Sequence, residues 1–285
     1  MPRCVLVVFA ACLLVGCASA PETPAPVAPP APQRPPRDEA TAAAIERVLA
    51  GDHRSAENRA RDSYRHPVDT LLFFGIKPDM TVVEVWPGAG GWYTEVLAPL
   101  LAEHGKLYTA VMPARPDNAY VTASLKEFAD KLAARPDIYG RVEVTSMGPG
   151  NFAIAPPGSA DLVVTFRNVH NWMNLGYAPE AFAEMNRALK PGGILGVVDH
   201  RGPGKPQDPR ATNGYVNEDY AIAIIEAAGF ELVARSGIND NPKDTKDYEQ
   251  GVWALPPSYR LGNRDRAKYE AIGESDRFTL KFRKK

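Results

Sequence analysis

Residues 82–96 read VVEVWPGAGGWYTEV. Val82 to Trp86 is an apolar, β-branched run interrupted by one acid, Glu84. Pro87-Gly88-Ala89-Gly90-Gly91 follows as a turn, and Trp92 onward has helical spacing. A buried strand that passes through a glycine turn into a helix presents unpaired backbone amides at the carboxyl edge of a sheet. Glycines there let a ligand approach the main chain closely. The spacing narrows the ligand. A dinucleotide fingerprint needs G-x-G-x-x-G, and Tyr93 stands at the third glycine, which disfavours NAD and FAD. No G-x-x-x-x-G-K-[ST] occurs anywhere, so a P-loop triphosphatase is excluded by motif.

Outward from this stretch, strand and helix patterns alternate. Strands are expected at Thr81–Trp86, Lys106–Met112, Arg141–Ser146, Asp161–Phe166, Ile194–Asp199 and Phe230–Ala234. Helices are expected over Gly91–Glu103, kinked or ended early by Pro99, and over Tyr120–Ala134 and Glu180–Leu189. One more starts at an Asn217 cap and stops at Gly229. The closing DRFTLKFRK sets Phe278, Leu280 and Phe282 on one side of a strand. No helix signal closely precedes it, so it is expected to enter antiparallel. The fold class is therefore α/β, a doubly wound and mostly parallel seven-stranded sheet with an antiparallel C-terminal strand.

Upstream of the sheet, residues 38–80 read as a helical extension or lid. Ala40–Leu49 is alanine-rich and Ser55–Tyr64 mixes acids and bases, until Pro67 breaks the pattern. Asp69 or Thr70 is expected to cap a short helix that Gly75 stops.

The first 37 residues are a different material. MPRCVLVVFAACLLVGC has a positive start at Arg3 and an apolar Val5–Val15 stretch of signal-peptide length. Leu14-Val15-Gly16-Cys17 resembles the bacterial lipobox, which implies a signal peptide over 1–17, lipidation at Cys17 and attachment to a membrane. Ala18 follows where an inner-membrane retention aspartate sits in such proteins, so the resemblance points to the outer membrane on the periplasmic side. The alternative is an ordinary signal peptide cut near Ala18 or Ala20. Residues 18–37 are a proline-rich linker, with eight prolines between Pro21 and Pro36. As polyproline helix at roughly 3.1 Å per residue, it would hold the folded part roughly 60 Å from the lipid.

Composition agrees with a soluble globular body, at 45% hydrophobic and 24% charged residues. A net charge of −1 gives no reason to expect nucleic acid as a partner. All three cysteines lie in the leader, so the body has none for a disulfide, zinc or a thiol nucleophile.

Four segments in order carry a resemblance: Glu84 with the glycine turn, DLVVTFRNVHNW at 161–172, RALKPGGILGVVDH at 187–200, and EAAGFELV from Glu226. Together they are similar to the Rossmann-like S-adenosylmethionine-dependent methyltransferases, over about residues 60–285, including the ubiquinone/menaquinone-type C-methyltransferases and an exported set. The domain is thus placed at 81–285. The resemblance implies S-adenosylmethionine as cofactor and a small-molecule or lipid substrate. It assigns Glu84, Gly88, Ala89 and Gly90 to the cofactor's aminocarboxypropyl part, with Arg167 and Asn168 across its methionine end. The sequence departs from the pattern where Trp86 replaces the motif's first glycine. It departs again at the second strand, which ends Thr109-Ala110-Val111-Met112 with no acid for the ribose, and at 146–151, which has none for adenine.

Three histidines are candidate catalytic bases: His170 and His200, just beyond two strand ends, and His66 in the segment before the sheet. For each the alternative is a structural histidine. No pair has i, i+4 spacing and no carboxylate cluster accompanies them, so no metal site is expected. The leading reading is a methyltransferase; the second is a catalytically inactive, lipid-tethered binding module on the same fold.

Overall fold

The computed structural model describes residues 1–2, 37–204 and 206–285, and the chain divides into a unit Met1–Pro36 and a unit Arg37–Lys285. The expected signal peptide from residue 3 onward, with Cys17, and the proline-rich stretch through Pro36 lie outside the described residues.

Four helices come first: α1 (Glu39–Leu49), α2 (Ala56–Ala60), α3 (Asp62–Arg65) and α4 (Pro67–Phe74). Then follow β1 (Thr81–Val85), α5 (Thr94–Leu101), β2 (Lys106–Val111), α6 (Ala119–Ala134), α7 (Pro136–Tyr139), β3 (Glu143–Gly148) and β4 (Asn151–Ala153). The second half is β5 (Ala160–Phe166), α8 (Val169–Leu175), α9 (Ala178–Ala188), β6 (Leu189–His200), α10 (Glu218–Ala227), β7 (Phe230–Ser236), α11 (Arg266–Ile272) and β8 (Arg277–Lys284).

All eight strands form one sheet in the order β4-β3-β2-β1-β5-β6-β8-β7. β1 pairs in parallel with β2 and β5, β2 with β3, and β5 with β6. β8 is antiparallel to both β6 and β7. Successive strand residues face opposite sides, and the valines of β1 use both. Val83 and Val85 join Trp172, Phe182, Met185 and Ile225 on the face covered by α8, α9 and α10. Val82 joins Ile45, Leu71, Phe74, Val96 and Leu97 on the face covered by α1, α4 and α5. Strand order reverses between β1 and β5, and a crevice opens outside the carboxyl ends of a doubly wound sheet at such a reversal.

The doubly wound, mostly parallel sheet and the antiparallel C-terminal strand are as expected, and the strand count is not. β4 adds an eighth strand, antiparallel to β3, through a tight hairpin in which Gly148 pairs with Asn151. Three residues are too few for an alternation to register. A short helix, α11, does precede β8, and the strand is antiparallel because it inserts between β6 and β7. α4 starts at Pro67 rather than at Asp69 or Thr70: His66 takes a left-handed conformation (φ 42°), and proline at the first helical position forfeits no hydrogen bond. The segment after Phe166, where no helix was expected, winds into α8.

Candidate active site

The glycine turn stays non-helical through Tyr93, with α5 starting at Thr94. Gly88 has φ +73°, a conformation that penalises any side chain. A Cβ built at Gly88 or Gly90 would meet nothing within 4 Å, so both open onto free space. A Cβ at Gly91 would strike the Phe128 ring at 2.8 Å, so that glycine seats the turn against α6. The space outside is a cleft of about 280 Å³ at the ends of β1, β2 and β5, lined by Trp86, Gly88, Met112, Asn118, Asn168 and Asn171 among others.

Trp86 also adopts a left-handed backbone (φ +53°), as the glycine it replaces could without strain. Its indole turns towards the end of β3, where Nε1 donates to the Met147 carbonyl at 2.8 Å. The ring meets Trp172 and Tyr177 edge-on, at centroid distances of 5.9 and 6.3 Å. The indole therefore belongs to the core cluster under α8 and α9 and leaves the glycine cradle open.

Asn168 lines the cleft, and its amide nitrogen donates to the carbonyls of Val85 (3.0 Å) and Trp86 (3.2 Å) and to Thr165 Oγ1 (3.1 Å). It locks the ends of β1 and β5 together. Glu84 points away from the cleft towards α5, where its carboxylate accepts from Thr94 Oγ1 at 2.6 Å. Burial pushes its pKa up to about 7, against the opposing hydrogen bond from Thr94. Ala89 is half-buried within the turn, and Arg167 has a left-handed backbone (φ +64°) just past β5.

The cleft is a test of S-adenosylmethionine as ligand. The open faces of Gly88 and Gly90 suit close backbone approach by an amino-acid tail. Among the described residues no carboxylate lines the cleft, so the polar groups available to a ribose are those of Asn118, Ser124, Asn171, Asn174 and Arg115. The open main chain at Gly88 suits an amino-acid tail, while the cleft offers neutral amides from Asn118, Asn171 and Asn174 and no acid at the strand ends where the family pattern has one.

Beyond the ends of β5 and β6, the structure brings His170 and His200 together, with ring centroids 5.1 Å apart. Asp199 is fully buried between them. It accepts from the His170 backbone N–H (3.0 Å) and the His200 backbone N–H (2.8 Å), and lies 2.9 Å from His170 Nδ1. His200 Nδ1 lies 2.5 Å from Ser275 Oγ. Burial, followed by the charges of His170, Arg167 and Arg277, holds the His200 pKa well below its usual value, so its ring is neutral. Spacing in the chain was a poor guide here. The potential metal-binding atoms of His170, Asp199 and His200 lie within 4.8 Å of one another, with the two Nδ1 atoms engaged by Asp199 and Ser275. His66 is elsewhere in role, at the junction of α3 and α4. Among the described residues no hydrogen bond or ring contact joins it to His170 or His200.

Sequence reasoning missed the charged residues around this pair. Glu274 is buried among Arg61, Arg65 and Arg277, with Arg167 close enough to act on its charge. A signal was available in the run Glu274-Ser275-Asp276-Arg277, four polar residues entering an apolar strand and all buried.

No protein-family model and no curated protein sequence matches the chain. Among solved structures it is similar to an S-adenosylmethionine-dependent methyltransferase from Aquifex aeolicus, 16% identical over 85% of this chain and 97% of that one, with a TM-score of 0.54. It is similar also to the [4+2]-cyclase SpnF, 16% identical over 86% of this chain and 92% of that one, again with a TM-score of 0.54. The fold is thus the Rossmann-like fold of S-adenosylmethionine-dependent methyltransferases. SpnF, a cyclase by description, illustrates why fold and reaction are separate statements.

Proposed function

We propose that this chain is an S-adenosylmethionine-dependent methyltransferase acting on a small molecule or lipid. The observation that carries the reading is the unobstructed main chain at Gly88, opening into the cleft where strand order reverses, with Gly90 also open beside it. When bound, the cofactor supplies an electrophilic methyl group. The chain's own contribution is positional. Gly88 and Gly90 allow close main-chain contact, and Asn168 fixes the two strand ends that flank the ligand. His170 is the candidate general base: Asp199 holds its Nδ1, which leaves Nε2 to take a proton from the acceptor. The leader and lipobox of the sequence support an exported, lipid-anchored protein, so the acceptor is sought on the periplasmic side.

Calorimetry with S-adenosylmethionine and S-adenosylhomocysteine tests the reading. Micromolar affinity that Gly88→Trp abolishes is the expected result. Absence of binding at millimolar cofactor would overturn it in favour of a lipid-tethered module without catalysis. The cleft's lack of a carboxylate is the observation on that module's side.

A further inference from the structure

Three arginines converge on one buried carboxylate. Arg61 Nε donates to Glu274 Oε1 at 2.6 Å, and Arg277 Nη1 lies 3.1 Å from Oε2. Arg65 Nε is 3.6 Å from Oε2, too far for a hydrogen bond. Burial, together with the charges of Arg61 and Arg277, lowers the pKa of Arg167 to about 10 against the pull of Glu274 and Asp199. Burial opposes ionisation of Glu274, yet Arg65, Arg277, Arg61 and Arg167 together pull its pKa down to about 2. One carboxylate does not satisfy this many donors. Arg65 is 2% exposed, and its Nε and Nη2 have no hydrogen-bond partner among the described residues; nor has Arg61 Nη2. Arg277 differs, because its remaining nitrogens donate to the carbonyls of Tyr64 and Ser275.

The unspent donors are themselves buried, and only Arg61 and Glu274 of the cluster reach an open depression beside them. That depression, of about 450 Å³, is lined also by Tyr64, Tyr259 and Arg266. Arg65 is braced for the task, with its guanidinium stacked 4.5 Å from the Trp92 ring centroid. Planar guanidinium forks with free N–H groups match the paired oxygens of a carboxylate or phosphoryl group.

We propose that Arg61 and Arg65 form an oxyanion subsite for the carboxylate or phosphoryl group of a small molecule, a place that Glu274 partly occupies in the free protein. Naming that molecule as the methyl acceptor rests on the methyltransferase reading; capture of the anion does not.

Calorimetry on the full chain, without cofactor and at fixed ionic strength, tests this with inorganic phosphate and with succinate as probes. At least one is expected to bind with submillimolar affinity, and the tighter of the two identifies the group. Arg65→Lys keeps the charge and loses the fork, and should weaken binding roughly tenfold. Glu274→Gln removes the internal competitor and should tighten binding roughly tenfold, with a ligand-dependent rise in Tm. A purely structural cluster predicts no tightening. No heat and no Tm shift with either probe at about 10 mM, in wild type and Arg65→Lys alike, would overturn the subsite. Anion binding without cofactor binding would remove only the methyltransferase reading, and cofactor binding without anion binding only the subsite.

Discussion

His170 and Asp199 are joined at two points: the His170 backbone N–H donates to Oδ2 at 3.0 Å, and ring Nδ1 lies 2.9 Å from Oδ1. A carboxylate that holds both main chain and imidazole fixes the ring's position and its tautomer. Asp199→Asn keeps the shape but turns one acceptor into a donor facing N–H groups. Turnover should fall by about 10²–10⁴-fold, the usual worth of a positioned base, with cofactor affinity unchanged. S-adenosylhomocysteine release against an acceptor, with calorimetry alongside, separates the two. A variant at wild-type rate would remove His170 from the mechanism.

Trp86 makes the second case, since its ring and its backbone pull in opposite directions. Trp86→Gly relieves a left-handed residue, worth roughly 1–2 kcal/mol. It also forfeits the Met147 hydrogen bond and the edge contacts with Trp172 and Tyr177, and large aromatic truncations in cores cost about 3–5 kcal/mol. A net loss of about 2–3 kcal/mol in urea unfolding is expected. A stabilised variant would mean the indole contributes nothing to the core beneath it.

The fold was legible because its signals are local. Alternating valines, a glycine turn and capped helices each fit in a window of a dozen residues. β4 and the short helices α7, α8 and α11 escaped, where three to seven residues carry too little pattern. The site was legible in part. Gly88 and Gly90 sit where the turn motif put them, but Glu84, which that motif assigns to the ligand, spends its carboxylate on Thr94. The histidine pair is 30 positions apart in sequence numbering, from His170 to His200, and becomes a pair only because β5 and β6 are neighbours. The arginine cluster draws on α3 and the start of β8, and no sequence window spans those.

Glu84 sets a pH dependence whose sign is opposite to the usual carboxylate. Its pKa is raised to about 7 by burial, so the folded state holds the proton more tightly than the unfolded chain. Its contribution is fully present below about pH 4.5 and is lost as pH rises through 7, by about 3 kcal/mol over that window. Glu84→Gln should remove this slope and be more stable than wild type at pH 8. Buried His200 acts the other way, losing stability as pH falls below about 6.5, because its folded pKa is depressed. Urea midpoints of both proteins across pH 5–8 check the difference, and parallel curves would refute the assignment to Glu84.

The last prediction concerns how the N-terminal helices are tied to the sheet. Glu95, on α5, is 1% exposed. Its carboxylate receives Arg54 Nε at 3.4 Å, Asn58 Nδ2 at 2.9 Å and the Lys131 ammonium, while its carbonyl pairs with His53 Nε2 at 2.8 Å. Arg54 is itself buried and also grips Asp62 with both terminal nitrogens, at 2.7 and 2.8 Å. Removing one partner of a buried ion pair leaves the other charged and desolvated, at about 3–5 kcal/mol. Because Asp62 still compensates Arg54, Glu95→Ala should fall at the lower end, about 3 kcal/mol. Glu95→Ala combined with Arg54→Met should cost less than the sum of the two, since each single variant already removes the interaction that Glu95 and Arg54 share. Additive losses would show that Glu95 and Arg54 act independently, and that apolar packing around Ile45 and Leu71 alone holds the helices in place.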